Sequence, residues 1–314
     1  GPTELTFGML GFGFALGVPF SILAFFPKLI KNIPKSGGWM NTLKVTLGFL
    51  ELALALKFLS NADLIGGWNI LKRETFIMIW ALLSLSLGIY LIGGINFIKN
   101  FNSNLKLKLY SSIPFLFSFY LIYSLFTDKN ELRFLSGFPP PEFYSINIAN
   151  NDCPLNLNCF KDYDKGYEYA KLNNKPILID FTGWACVNCR RMEENVWSDP
   201  EIYSLLNNDF VLISLYVDDR KKIDVKDQFD FKFLNGRIKK IESLGEKWAT
   251  FQAINFNSAS QPFYVQLNKD LELLNSPIQY SGKKEFKNWL KKGLKRSTEL
   301  SEKKDKNIYD HNLW

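Results

Sequence analysis

From Leu5 to Phe26 the chain runs for 22 residues without a charged side chain. An apolar stretch of this length is enough to cross roughly 30 Å of hydrocarbon as a helix. Three more apolar segments follow, so the pattern predicts a bundle of four spans at about 5–26, 39–59, 75–98 and 109–126. A cleaved secretory signal does not fit the first segment, which is too long and lacks a basic start. Lys28, Lys31 and Lys35 lie between spans one and two, and Lys99, Lys106 and Lys108 between three and four, against Lys72 and Arg73 in the middle loop. Basic short loops face the cytoplasm, so everything after about residue 127 is expected outside it. Gly8, Gly11, Gly13 and Gly17 suit close helix packing. Glu51 is an ionisable group near mid-span with Lys44 two turns away, so pairing or snorkelling competes with a functional role.

Mean hydropathy over the whole chain is only −0.07, with 47% hydrophobic and 22% charged residues. That average combines a lipid-soluble half with a polar one, and it excludes a disordered chain. The net charge of +7 is scattered rather than gathered in a patch, which does not point to nucleic acid. One histidine, His311, leaves mechanisms built on a histidine base or histidine-bound metal almost nothing to use, and special chemistry falls to the four cysteines.

Residues 128–160 read as a linker. Pro139, Pro140 and Pro141 are expected to make a stiff extended spacer that holds the next domain off the membrane. Residues 161–296 alternate helix and strand patterns, which predicts an α/β layer domain. KDYDKGYEYAKLNN reads as a helix, and ILIDF as a central strand covered on both faces. DPEIYSLLNN, DFVLISLYVDD, QPFYVQLN, LELL and the helix from Lys283 to Lys295 complete it. Residues 220–257 read as a polar insertion with a helix near 241–251, and 297–314 as a charged, frayed tail.

At the turn between the ILIDF strand and the next helix stands Trp184-Ala185-Cys186-Val187-Asn188-Cys189. A thiol at a helix N-terminus meets unpaired N–H groups and the positive end of the helix dipole, which lower its pKa from about 8.5 toward neutrality. Cys186 can then attack a disulfide as the thiolate, and Cys189, one turn on, can resolve the mixed disulfide.

ILIDFTGWACVNC followed by RRMEENVW, with QPFYV later, resembles the thioredoxin superfamily. In particular it resembles the C-terminal domain of the DsbD-type transmembrane thiol:disulfide interchange proteins. PKSGGWMNTLKVTLGFLELALALKFLSNADL resembles their membrane domain. The resemblance implies a four-span helical bundle followed by a thioredoxin-like α/β domain. Cys186 would be the attacking cysteine and Cys189 the resolving one. Pro262 would be the cis-proline of the substrate groove, and Asp180 the buried acid that assists proton transfer. It also implies a bacterial inner-membrane protein-disulfide reductase with this domain in the periplasm. Such an enzyme needs no cofactor or metal beyond its own disulfide, and its electrons come indirectly from cytoplasmic thioredoxin. Its clients are periplasmic disulfide proteins of cytochrome c maturation or disulfide isomerisation. Family members relay electrons through cysteines within the membrane, and the spans here contain none. A separate thiol relay or a missing N-terminal membrane half is therefore expected, with this chain a fragment or one part of a split system.

Other readings stay open. Cys186 and Cys189 could form a static bridge, or all four cysteines one zinc site. Cys153 and Cys159 fit a structural disulfide worth roughly 2 kcal/mol in so short a ring, or a second redox pair. Asp180 could be an exposed strand-end acid and Pro262 a trans edge proline. At the level of function, a zinc- or thiol-binding ectodomain and a solute transporter with a thioredoxin-fold appendage are the rivals.

Overall fold

The computed structural model describes residues 2–26, 38–93, 109–127, 132–146, 153–232, 236 and 238–311. Lys28, Lys31, Lys35, Lys99, Lys106 and Lys108, on which the expected orientation rests, lie outside the described residues, as do residues 94–98 of the expected third span.

Apolar helices come first: α1 (Pro2–Phe25), α2 (Gly38–Gly66), α3 (Arg73–Leu91) and α4 (Ser112–Phe126). Among the described residues one of them, α3, is long and apolar enough to cross a membrane by length and composition, while Thr6–Ile22 and Ser112–Phe126 are shorter apolar helices. The helix α2 spans 29 residues but carries Lys44, Glu51, Lys57 and Asp63. Helix α3 packs against α2 and α4 around Phe76, Ile77, Ala81 and Leu121. Polar side chains reach across to carbonyls of neighbouring helices, as expected where apolar surface alone gives little drive to associate. The Trp80 indole donates to Ala53 O at 3.1 Å, Ser84 to Pro114 O at 2.8 Å and Ser118 to Ala81 O at 2.9 Å. The glycines of α1 behave otherwise: a Cβ at Gly8, Gly11, Gly13 or Gly17 would meet nothing within 4 Å among the described residues.

The second half is built on a four-stranded sheet. Its elements are β1 (Cys159–Phe160), α5 (Tyr163–Leu172), β2 (Ile177–Thr182), α6 (Val187–Met192), α7 (Pro200–Ser204) and β3 (Val211–Tyr216). After them come β4 (Phe229–Lys232), β5 (Ile238–Ile241), α8 (Leu244–Phe256), β6 (Phe263–Leu267) and α9 (Lys283–His311). The strand order is β1-β3-β2-β6, and β4 pairs with β5 as a separate hairpin. Strand β3 is parallel to β1 and β2, and β6 runs antiparallel to β2.

Successive strand residues point to opposite faces, and β2 is covered on both. Ile177, Ile179 and Phe181 join Ile213, Val265 and Trp248 in one core. Leu178 joins Leu212, Tyr264, Met192, Trp197 and Phe286 in the other. Asp180 alternates with Ile179 and Phe181, so it lies on the Leu178 face, beneath the helix that follows β2.

Four expectations are corrected here. Residues 220–257 are not one insertion: only the hairpin β4–β5 projects, whereas Trp248 and Phe251 of α8 pack into the core. Ser243 and Glu246 close a reciprocal cap on α8, a start signal inside a segment that reads as polar. LELL makes only the bridge Leu267↔Leu273, because Asn268 Oδ1 accepts from the Asp270 and Glu272 amides and bends the chain into a turn with Leu271 at φ +63°. The tail from 297 continues α9 to His311, as its Lys- and Glu-rich, helix-favouring composition allows.

The proline linker is the fourth. It does not hold the domain away; residues 132–146 are a strap pressed between the helix ends and the sheet domain. Pro139, Pro140 and Pro141 are buried. The Pro140 carbonyl accepts from Arg73, and Ser145 bonds Glu74. Tyr144 donates to Asp63 Oδ2 at 2.8 Å, and the Asp63 carboxylate also accepts from the Ile70 and Leu71 amides at 3.1 and 2.8 Å. On the other side the Gly137 amide donates to Glu194 at 2.9 Å, and Asn195 donates to Ser136 Oγ at 2.7 Å. A rigid proline run loses little entropy on docking, which favours packing once partners exist.

Asp63 thus joins α2, the following turn and the strap. Asp63→Ala leaves three donors without their partner, at about 1 kcal/mol each. Hydrogen exchange should accelerate in 132–146 while the amides of β2 and β3 keep wild-type protection; a strap that stays equally protected would show that Asp63 does not anchor it.

Candidate active site

Strand β2 ends at Thr182, and four residues later Cys186 caps α6. Its Sγ accepts the Cys189 amide at 3.1 Å. A thiolate at this atom would receive the same hydrogen bond together with the positive helix end. Cys186 and Cys189 are joined by a disulfide with their Cα atoms 5.3 Å apart. Cys186 is half-buried and Cys189 is 1% exposed. The outer sulfur is open to a partner and the inner one is shielded.

The loop between strand and helix is held by Asp218, which sequence reading missed. Its carboxylate accepts from the Trp184 amide at 2.7 Å and the Ala185 amide at 3.0 Å. Gly183 makes room for it, since a Cβ there would stand 3.0 Å from Asp218 Oδ2. Trp184 stacks on Tyr216 with centroids 3.8 Å apart, and Lys161 Nζ lies 4.8 Å from the Trp184 ring. Phe143 of the strap meets the same indole edge-on at 6.0 Å.

Pro262 is buried, and the Gln261–Pro262 bond is cis. Phe263 pairs with Phe181 across β6 and β2, so Pro262 stands beside the end of β2 from which the cysteine loop departs.

Behind the pair is a buried ionic cluster. Asp180 is 1% exposed and takes a hydrogen bond from Ser214 Oγ at 3.2 Å. Burial raises its pKa to about 7, with Arg190 and Ser214 pulling the other way. Glu193, one turn beyond Cys189, is raised to about 8 by burial, again opposed by Arg190. Arg190 is itself buried, 2.8 Å from Glu193 and 3.3 Å from Thr182 Oγ1. One cation, paired with Glu193 and felt by Asp180 at longer range, offsets only part of the two buried acids' charge, so together they favour holding a proton near neutral pH. The α6 helix continues here as a π-helical turn, Glu193–Trp197, a geometry common at functional sites.

The charged run RRMEEN carries no local mark of burial. A signal was present: β2 predicts that even-numbered positions face the helix, and an Arg with Glu three residues later could have been placed on that face.

Cys153 and Cys159 form their own disulfide, with Cα atoms 6.0 Å apart, where the chain enters β1. The four cysteines therefore pair as two separate bridges.

A Thioredoxin-like family profile matches residues 158–232. The chain is 26% identical over 222 residues to the thiol:disulfide interchange protein DsbD of Campylobacter jejuni, covering 69% of this chain and 35% of that protein. It is 23% identical over 211 residues to the DsbD of Pseudoalteromonas atlantica, covering 64% and 31%. A solved structure titled DsbH oxidoreductase is 16% identical, with a TM-score of 0.33, covering 48% of this chain and 92% of that one. The chain spans about a third of the length of the curated relatives it matches. It is thus similar, over about two thirds of its length, to thiol:disulfide interchange proteins named DsbD, and it carries a thioredoxin-like α/β domain.

Proposed function

We propose that this chain is a membrane-anchored protein-disulfide reductase that works through its own sulfur atoms, with no cofactor or metal. The observation that carries this reading is the position of Cys186 Sγ. It takes the amide of the first helical turn, is bonded to a shielded Cys189, and has a buried acid cluster behind it.

In the reduced protein, Cys186 thiolate attacks one sulfur of a client disulfide. A Cys186–client bond forms, and the client's other sulfur leaves as a thiolate and takes a proton. Cys189 then loses its proton toward the Asp180–Glu193 cluster and attacks Cys186 Sγ. The Cys186–Cys189 bond forms, and the client's second thiol is released. Two electrons and two protons have passed to the client. A donor dithiol must then reduce the Cys186–Cys189 bond.

We place the chain in a bacterial inner membrane, with the four apolar helices as spans and the thioredoxin-like domain in the periplasm. The similarity to DsbD proteins and the lysine bias of the short loops support this. The donor is a membrane thiol relay outside this chain, supplied with electrons by cytoplasmic thioredoxin. The clients are periplasmic disulfide proteins, including factors of cytochrome c maturation and disulfide isomerisation. Cys153–Cys159 serves as a structural bridge at the entry to the sheet.

The full chain in detergent micelles should reduce insulin with dithiothreitol as donor. Cys186→Ser should fall to the uncatalysed background. Cys189→Ser should accumulate a covalent adduct with insulin, visible as added mass on a non-reducing gel. A Cys186→Ser protein that keeps its turnover refutes the reading.

The acids supply a pH test. Their pKa values are raised above the unfolded values of about 4, so the stability they contribute is fully present below about pH 4, is lost progressively as pH rises toward about 7 to 8, and changes no further above that. Asp180→Asn removes that loss. It should stabilise the domain by roughly 1–3 kcal/mol at pH 8 and by little at pH 4, while slowing the resolving step. Thermal denaturation at the two pH values checks it; an equal gain at both would mean that Asp180 does not titrate in this window.

A further inference from the structure

An arginine directly after the resolving cysteine, buried in the core face of the redox helix, calls for a physical reason. Arg190 is 3% exposed. Its Nη2 bonds Glu193 and Thr182, its Cζ lies 5.3 Å from the centre of the Phe143 ring, and its Nε and Nη1 have no hydrogen-bond partner among the described residues. Taking a guanidinium out of water costs several kcal/mol unless opposite charge surrounds it. Surface ion pairing needs no such burial, and the sheet domain could fill this volume with an aliphatic side chain.

The groups around it give the reason. From its own helix it faces Glu193, with Glu194 beyond. From β2 it faces Asp180, from β3 Tyr216 and from β6 Tyr264. On the side of the strap and the membrane helices lie Glu142 and Lys57. Arg190 is in direct contact with Glu193 and acts on Asp180 electrostatically at longer range, whereas Lys57 stands over Phe138 of the strap. Two carboxyls buried together without a counter-charge would both stay protonated well above neutral pH, and a neutral acid cannot accept the proton of a thiol.

We propose that Arg190 is a positioning residue that serves as the shared internal counter-cation of Asp180 and Glu193, setting the pH range over which the acids behind Cys186 and Cys189 can take up a proton. This rests on the exchange reading and deepens it. Arg190 touches no reacting sulfur in this role; it acts through the two carboxyls. Phe143 lays its ring on the guanidinium and its edge on Trp184, so the strap covers the outer side of the cluster and limits how far water can screen its charges.

The test uses the full chain in detergent micelles, fully reduced, with iodoacetamide alkylation of Cys186 followed by mass spectrometry across a pH series. Arg190→Gln should move the profile to higher pH, with roughly tenfold slower alkylation near pH 7 for each pH unit of displacement. Arg190→Lys should restore it close to wild type. Glu193→Gln keeps the cation and removes one acid, so it should move the profile the opposite way, to lower pH. A packing role predicts no such opposition. Profiles for Arg190→Gln and Glu193→Gln that shift together, or a Glu193→Gln profile that does not move, overturn the proposal. The second of these decides even where Arg190→Gln does not fold. Because the alkylation profile is read without any client, it is separate from the Cys186→Ser turnover that decides the exchange reading.

Discussion

The two-sided burial of β2 is the constraint on which the rest depends. A central strand flanked by β3 and β6, with helices over both faces, has no side on which a polar group can reach water. Asp180 lies on the face shared with Leu178 and Thr182, under the redox helix, and the hydroxyl of Ser214 comes from the matched register of β3. An ionisable side chain in that position must be neutral, or be met by a buried cation. The structure supplies both means: the carboxyl pKa is raised by burial, and Arg190 is folded back into the same volume.

How much of this could be read from the chain follows from how local each signal is. The cysteine pair and the acid six residues before it are fixed by short-range pattern, a buried strand, a tight turn and a helix start, and the proline stands just before the apolar β6. In the fold Cys186 caps α6, Asp180 is buried on β2 and the Gln261–Pro262 bond is cis. Asp218, Arg190 and Glu193 carry no comparable local mark. Asp218 acts across the sheet on amides 33 and 34 residues away. Arg190 and Glu193 sit in a charged run that reads equally well as a solvated helix face. Only the facing of β2, combined with the helix above it, shows that they point inward.

The strap shows a different gap. Three prolines in succession fix the backbone as stiff and extended, but stiffness does not determine whether a segment stands in water or lies in a groove. Partners decide that, and Asp63, Arg73 and Glu74 come from helix ends whose charges looked like ordinary loop polarity. The α8 helix was obscured for a related reason. Its neighbours from Arg220 to Lys240 are polar, and Trp248 and Phe251 find their core only once β1 and β2 are in place.

The cluster also shapes stability against function. An acid whose pKa burial lifts to about 7 still holds its proton at pH values where the unfolded carboxyl has lost its own, so the fold loses stability as pH rises toward neutrality. An aliphatic core would lack this penalty, and under the proposed exchange it would also lack a place to hold the Cys189 proton. Arg190 moderates the penalty without removing it, since one guanidinium faces two carboxyls. The site is therefore kept near the point where the fold is almost indifferent to whether that proton is bound. A group so placed can accept and return a proton at small free-energy change, which is the property the proposed exchange would use.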